Sequence, residues 1–313
     1  MKFAACSYAT HARHAFGLRT HKLARLSVRS CYPSMTVRCR TVVCVLTLLW
    51  SAPLWAQAPF YTDDTGVTEA GTLHIEAFDE IDALQSAQFP DLRQNTANLK
   101  INIGIPHGLE FDIDVPYLII NRASQTQNSR GVGDTNLGLK WIMHQAAPGS
   151  HTPTFAASFY VEFPTGDSSQ ELGSGETDYW LNLIAQEAVS ETTRFNVNLG
   201  ILFAGNTSTG VIGIETTRGH VYTGGLSVLH DFSDRFTLGA ELYGGISDNS
   251  GLDRTQLQTM LGAQYAIREH VTLCLGLIAG TFTGSPRFGG QIGIAIDIPH
   301  LFHRPSRALA RHE

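Results

Sequence analysis

The chain has 313 residues, of which 43% are hydrophobic and 16% are charged, so it carries too much apolar surface to remain disordered. Eight basic residues and no acidic residue precede Gln57, which leaves 14 basic and 28 acidic residues in the rest of the chain. Phosphate backbones would repel this acidic body, so the composition argues against nucleic-acid binding.

The N-terminal region resembles an export signal. Arg38 and Arg40 precede an apolar run at residues 42–50, followed by small residues that suit cleavage after Ala56. We favour this site because Pro59 hinders the alternative cut two residues later. The apolar run is shorter than the roughly 20 residues of a membrane-spanning helix.

The stretch from Thr96 to Tyr117 has the pattern of a β-hairpin. Its first arm alternates apolar and polar residues, and Pro106-His107-Gly108 supplies the turn. On the second arm, Glu110, Asp112 and Asp114 share the face opposite a column of large apolar residues. Such a hairpin suits either a soluble sandwich, with the apolar face on a second sheet, or an outer-membrane barrel, with that face on lipid.

The same alternation continues to the end of the chain, with no sustained helical periodicity. It predicts about twelve strands, near residues 73–77, 96–105, 109–117, 135–143, 155–163, 179–186, 195–203, 222–228, 236–242, 256–265, 271–277 and 288–297. Tight turns and longer loops largely alternate along the chain, and aromatic residues fall near the strand ends. We therefore predict an all-β, transmembrane, up-and-down antiparallel β-barrel of about twelve strands.

The sequence divides into four predicted segments. Residues 1–34 form a dispensable extension or were never part of the natural product, since Met35 is a suitable start; a long basic leader or a transit peptide is the alternative. Residues 35–56 form the signal peptide, 57–300 the barrel and 301–313 a C-terminal tail. Outer-membrane barrels usually end on an aromatic residue, so either Phe302 is that residue or the tail is tolerated.

Eight ionisable side chains fall on the faces predicted to line the lumen: His74, Glu76, Lys100, Glu110, Asp112, Asp114, Lys140 and Glu162. Acidic groups crowded in a narrow lumen would favour cations or polar donors over anions. Alternatively, Lys100 and Lys140 neutralise two of the acids, and the ion network stabilises a mostly filled lumen. The sequence leaves both interpretations open.

No catalytic or cofactor motif stands out. Asp64-Thr65-Gly66 spells the aspartic-protease triplet, but no second copy exists, so we interpret it as a turn before the first strand. Only Cys274 would remain after export, which excludes an internal disulfide or a cysteine metal site in the mature chain. His74 keeps a barrel hydrolase open as an alternative, since it is the histidine placed well inside a lumen face.

Four short motifs together resemble a known family. They are Phe60 to Gly66 (FYTDDTG), Gly131 to Trp141 (GVGDTNLGLKW), Glu162 to Asp167 (EFPTGD) and Leu172 to Gly175 (LGSG). In this order and spacing they resemble the outer-membrane proteins of the MetA-pathway of phenol degradation family. The resemblance implies a barrel that passes small, often hydrophobic or aromatic compounds, without catalysis.

The functional prediction follows from the barrel and this resemblance. We predict a monomeric channel in the outer membrane of a Gram-negative cell, surrounded by lipid and inserted by the barrel assembly machinery. It would pass a small solute passively, with no cofactor, no metal and no enzymatic reaction. The alternatives are a secreted soluble β-sandwich that binds a partner and an outer-membrane barrel hydrolase.

Overall fold

The computed structural model describes residues 58–124, 126–147, 149–204, 219–248 and 255–299. The strands are β1 (Leu73–Ala83), β2 (Asp91–Ile105), β3 (Leu109–Arg122), β4 (Ser129–Val132), β5 (Thr135–His144), β6 (Thr154–Phe163), β7 (Asp178–Ala188), β8 (Thr193–Ala204), β9 (Gly219–Ser233), β10 (Phe236–Ser247), β11 (Gln256–Arg268), β12 (Val271–Thr281) and β13 (Phe288–Ile298). Two single 3-10 turns, Ser86–Gln88 and Ser168–Gln170, interrupt the loops. Within the described ranges, no helix is long and apolar enough to cross a bilayer.

The strands form one closed antiparallel sheet. Each strand pairs with its neighbours in the chain, and β1 pairs with both β2 and β13, which closes the barrel. β4 and β5 both pair with β3, at different heights, so they act as one interrupted strand. The result is the predicted twelve-stranded barrel; the short β4 segment was not foreseen. A single closed sheet rules out the two-sheet sandwich.

Burial in this barrel is inverted relative to a soluble protein. Leu199, Leu261 and Leu277 are more than 60% exposed on the outer face, whereas Glu76 and Asp112 on the inner face are no more than 2% exposed. Because strand side chains alternate faces, this inversion repeats along the strands. The apolar columns therefore face lipid and the polar columns face the lumen, as the hairpin pattern predicted.

The two rims of the barrel differ. As far as the structure describes them, the connections of the short-turn rim are 106–108, 145–153, 189–192, 234–235 and 269–270, and those of the long-loop rim include 84–90, 123–128, 164–177 and 282–287. At the tightest hairpin, His107 and Gly108 both have a positive φ of 72°, a conformation that glycine adopts at little cost. In outer-membrane barrels short turns lie in the periplasm and long loops outside the cell.

Candidate functional site in the barrel lumen

Residues 58–72, here called the lumen segment, run through the barrel interior before β1 begins. Near the start of the segment, Ala58 N donates to Glu76 Oε1 at 3.2 Å, and Gln264 Nε2 donates to Ala58 O at 2.7 Å. Further along, Thr68 N donates to Glu110 Oε2 at 2.5 Å. The inward side chains of β1, β11 and β3 therefore hold one peptide between them. The predicted turn before the first strand is in fact this longer insertion.

The middle of the lumen segment is attached to the barrel wall through carboxylates. The Tyr61 hydroxyl donates to Glu80 Oε1 at 2.5 Å, and its ring stacks on Tyr243 with centroids 5.6 Å apart. Thr62 N donates to the buried carboxylate of Glu241. Backbone N–H groups that leave water must find partners, so these inward acids satisfy the irregular peptide.

Phe60 packs in the space left by two glycines of the barrel wall. Its side chain is 7% exposed and packs in a small cluster with Leu229 and Met260. A Cβ at Gly239 or at Gly262 would overlap the Phe60 ring, so larger residues there would displace it. These glycines on β10 and β11 thus make room for the segment.

A buried ion pair fixes the centre of the lumen segment. Lys140 Nζ on β5 lies 2.7 Å from Asp63 Oδ1 and 3.7 Å from Asp64 Oδ1, and the Lys140 side chain is 3% exposed. On the other side, the Asn198 amide faces the Asp63 backbone; oriented with its oxygen 2.7 Å from Asp63 N and its nitrogen 2.9 Å from Asp63 O, it satisfies both groups. Asp63 is therefore bonded to two different strands.

His74 lies between two carboxylates on the inner wall. Its Nδ1 is 2.7 Å from Asp297 Oδ1 and its Nε2 is 3.1 Å from Glu76 Oε1. In the described hydrogen-bond network both ring nitrogens thus face acids rather than a hydroxyl nucleophile, which hydrolase chemistry would require. The arrangement instead connects β1, β13 and, through Glu76, the start of the lumen segment.

A second element enters the barrel from the long-loop rim. Residues 164–177, here called the inward loop, fold down so that Leu172 is 2% exposed. Leu172 packs with Leu84, Leu118 and Ile120 in a buried apolar cluster. This cluster lies on the inner side of the wall, where the other inward side chains are mostly polar, and so holds the inward loop against the barrel.

Asp134 anchors the inward loop by its backbone. One carboxylate oxygen accepts from Gly166 N at 2.9 Å and the other from Ser174 N at 2.6 Å. Within the loop, hydrogen bonds from Ser169 above all keep the pKa of the exposed Asp167 below its usual range. Two of the sequence motifs, GVGD and LGSG, therefore meet in space, because the acid of the first binds the backbone of the second.

A cavity of about 430 Å³ lies among the barrel wall, the lumen segment and the inward loop. Seven of the described residues that line it are acidic: Asp63, Glu76, Glu80, Asp82, Asp114, Asp134 and Glu162. Six are aromatic: Phe60, Tyr61, Phe78, Tyr160, Trp180 and Tyr243. Lys100 is the basic residue of this lining as far as the structure describes it. The cavity thus combines aromatic surface with a strong excess of acceptors.

Several polar atoms in the cavity lining have no hydrogen-bond partner in the described part of the chain. They include Asp82 Oδ1, Asp114 Oδ1 and Trp180 Nε1, each nearly inaccessible from outside. Buried polar groups are normally bonded. These atoms are enclosed in the wall around the cavity, and they add to the polar character of its surroundings.

The structure places the eight predicted lumen residues on the inner face, in two groups. Those that line the cavity are Glu76, Lys100, Asp114 and Glu162. Those that bond other protein groups are His74, Glu110, Asp112 (which accepts from Tyr160 at 2.7 Å) and Lys140. Lys140 pairs with Asp63 of the lumen segment. The neutralisation interpretation had instead paired this lysine with an acid on a strand. Their part in selectivity stays a prediction.

The comparison with known families is decisive for the identity of the barrel. The family model described as the MetA-pathway of phenol degradation matches residues 80–292. The chain belongs to this family. No curated protein matches the chain in sequence.

Two solved structures are similar to this MetA-pathway family barrel. The COG4313 outer membrane channel from Pseudomonas putida F1 is 13% identical, with 75% of this chain and 98% of that chain covered and a TM-score of 0.59. The KdgM porin is 11% identical over 71% of this chain and 98% of that chain, with a TM-score of 0.46. The first of these supports an outer-membrane β-barrel fold.

The family match covers only part of the functional site. It begins at Glu80, after the lumen segment, and includes Asp134, Lys140 and Leu172. The matched part of this family member thus contains the barrel wall and the inward loop, together with the lysine that binds Asp63. The lumen segment lies outside it.

Several lumen residues of this family member were missed in the sequence. Tyr61, Asp63, Glu80 and Glu241 attach the lumen segment to the wall, yet none was selected. Glu241 lies in the strand predicted at 236–242 but is not among the eight selected residues, and Tyr61 and Asp63 precede the first strand. One signal in the sequence could have revealed them. Lys140 is a lysine on an inner face and needs an acidic partner, and the consecutive acids Asp63 and Asp64 lie in the polar segment before the first strand.

Replacing Asp134 by alanine is expected to release the inward loop. The change leaves two backbone donors without their charged acceptor, at about 1.5–3 kcal/mol for each hydrogen bond. We expect limited proteolysis of the folded protein to cut within residues 164–177 at least tenfold faster, a change that about 1.4 kcal/mol would produce. Asp167→Ala is the matched control, because Asp167 is exposed and bonds groups within the loop. Equal cutting of both variants would contradict the anchoring role.

Proposed function

We propose that this protein is an outer-membrane channel for the passive passage of small compounds. The observation that carries the proposal is the cavity inside a closed twelve-stranded barrel, lined by polar and aromatic side chains. About eight strands leave a filled interior and sixteen or more an open aqueous pore, so twelve strands suit a narrow path. The outer-membrane channel of similar fold supports this proposal.

The lining favours one class of solute. Acidic groups exceed basic ones seven to one in the described lining, so the potential disfavours anions. Tyr160 and Trp180 offer aromatic surface in the same lining as the carboxyl groups of Asp82 and Asp114. We propose that the channel passes neutral or cationic compounds, including aromatic ones that carry hydrogen-bond donors.

The proposal includes the route to the membrane. Export through a signal peptide at 35–56, with cleavage after Ala56, would start the mature chain just before the lumen segment. The signal peptide, the extension at 1–34 and the tail at 301–313 lie outside the described residues. We further propose insertion by the barrel assembly machinery and a monomeric state. N-terminal sequencing of the purified protein tests the cleavage site.

Neutralising two cavity acids is expected to lower cation preference. The variant Asp114→Asn with Glu162→Gln removes two negative charges that line the cavity. A unit charge several ångströms from a permeating ion contributes about 1 kcal/mol, or roughly fivefold, so we expect the change of both acids to lower the cation-to-anion permeability ratio by at least fivefold. The measurement is the reversal potential of single channels in planar bilayers under a potassium chloride gradient, with benzylammonium then replacing potassium.

The matched control neutralises Glu110, an inner-face acid that does not line the cavity and whose carboxylate accepts from Thr68 N. Glu110→Gln should leave the permeability ratio within about twofold. An equal fall in both variants would mean that net charge alone sets selectivity. If neither the unmodified protein nor any variant conducts, the channel proposal fails. The contacts of His74 give the hydrolase alternative no support.

A further inference from the structure

A second cavity, of about 660 Å³, opens on the outside of the barrel at the long-loop rim. It lies where β1, β2 and β13 end and is lined on one side by the loop at 84–90. Large apolar side chains surround it: Ile81, Phe89, Leu92 and Phe288 are all between 48% and 70% exposed. The linings of this rim pocket and of the lumen cavity share the wall residue Asp82 and no other described residue.

Two arginines flank the rim pocket. Arg93 pairs with Ala83 across β1 and β2, and Arg287 N donates to Ala83 O at 2.8 Å from the other side. The Arg287 guanidinium lies 5.1 Å from the centre of the Phe288 ring. Both arginines line the pocket and are exposed. The pocket thus has a cationic edge above an apolar surface.

Neither arginine has an ion-pair partner in the described part of the chain. Of the two acids in the pocket lining, Asp91 pairs with Arg122 at 2.5 Å, and Asp82 is turned toward the lumen with 1% exposure. The free charge at the pocket is therefore positive. Elsewhere on the long-loop rim the guanidinium of Arg122 is neutralised by Asp91 and Glu171.

We propose that this rim pocket binds an anionic membrane lipid, with Arg93 and Arg287 on its phosphate and the apolar residues on its acyl chain. The occupant follows from the chemistry and the position. Arginine is suited to phosphate. Phe288 lies at a strand end, where aromatic residues mark the membrane interface and the headgroups begin. The acyl chain would lie along the lipid-facing column that Ile81 begins.

The site is independent of solute passage and would fix the barrel at a defined depth. A phosphate there neutralises two like charges that otherwise face each other across Ala83. The lumen contacts do not involve Arg93 or Arg287, so changing them leaves the solute path intact.

The test is native mass spectrometry of the full mature protein in detergent micelles, with added dioleoyl phosphatidylglycerol. We expect one retained lipid, with dioleoyl phosphatidylcholine and glycerol phosphate both binding at least tenfold more weakly. Each arginine near a membrane surface contributes about one kcal/mol toward anionic lipid, so Arg93→Gln with Arg287→Gln should lower phosphatidylglycerol affinity by about tenfold or more. Phe89→Ala should weaken it without changing the headgroup preference.

The matched control is Arg235→Gln with Arg268→Gln, which removes two exposed arginines from the short-turn rim. This control should keep the retained lipid. Equal loss in both double variants, unchanged binding after Arg93→Gln with Arg287→Gln, or equal retention of the two lipids would each overturn the proposal. Heat-modifiable mobility on gels verifies that each barrel is folded, and the single variants replace any double variant that fails this check.

Discussion

Removing the lumen segment is expected to raise single-channel conductance roughly threefold or more. Twelve-stranded barrels are intermediate between filled and open barrels, so a peptide inside one occupies much of its cross-section. Deleting residues 58–69 takes away Phe60, Tyr61 and Asp63. It keeps Gly71, whose N–H donates to Gly104 O at 3.0 Å beside the start of β1. Single-channel recording in planar bilayers measures the change.

Two controls separate the loss of the plug from damage to the barrel. The first replaces residues 60–66 by glycine and serine at constant length, which removes the side-chain anchors while the peptide remains. The second is Asp134→Ala, which frees the inward loop and leaves the lumen segment bound. If deletion leaves conductance unchanged while Asp134→Ala raises it, the inward loop limits passage and the lumen segment does not.

Local patterns in the sequence determine the barrel wall. In β2, β3 and β5 the alternation of apolar and polar residues repeats every second position, and the lipid and lumen faces follow directly from it. The turn at residues 106–108 was predicted for the same reason, since its signal is contained in three residues. Wall residues such as Glu76 and Asp112 could therefore be assigned to a face from sequence alone.

The contents of the lumen could not be predicted in this way. Thr62 and Glu241, which share a hydrogen bond, are 179 residues apart, and Lys140 lies 77 residues from Asp63. No periodicity links such pairs, because the lumen segment is irregular and has no face of its own. The interruption between β4 and β5 was missed for a related reason. Gly133 and Asp134 turn inward there to hold a loop some 40 residues further along the chain.

The inner-face acids also explain how the two interpretations of the lumen combine. Glu80, Glu110 and Glu241 accept from the lumen segment and hold it in place, as in the stabilising network. Asp114 and Glu162 line the remaining cavity, as in the selective lumen. A charge excess that looks uniform in sequence thus serves anchoring at Glu110 and Glu241, lining at Asp114 and Glu162, and both at Glu80. The anchoring and lining acids are predicted to respond differently to neutralisation.

Replacing Asp63 by alanine is expected to destabilise the barrel by about 3 kcal/mol. Removing one partner of a buried ion pair leaves the other charge uncompensated, at a typical cost of about 3–5 kcal/mol. Asp64 Oδ1, 3.7 Å from Lys140 Nζ, should recover part of this. Equilibrium urea unfolding in lipid vesicles, followed by tryptophan fluorescence, gives the free energy of unfolding.

The double variant Asp63→Ala with Lys140→Met separates two costs. One is the cost of burying an unpaired Lys140 charge, and the other is the cost of losing the contact itself. Replacing a buried pair by apolar groups is often close to neutral, so most of the stability should return. Arg194→Ala is the matched control at the short-turn rim, where the pair with Asp231 is partly exposed and should contribute no more than about 1 kcal/mol. If Asp63→Ala costs no more than Arg194→Ala, the Asp63–Lys140 pair does not hold the lumen segment. The carboxylates of Glu80, Glu110 and Glu241 would then be what holds residues 58–72 in the barrel.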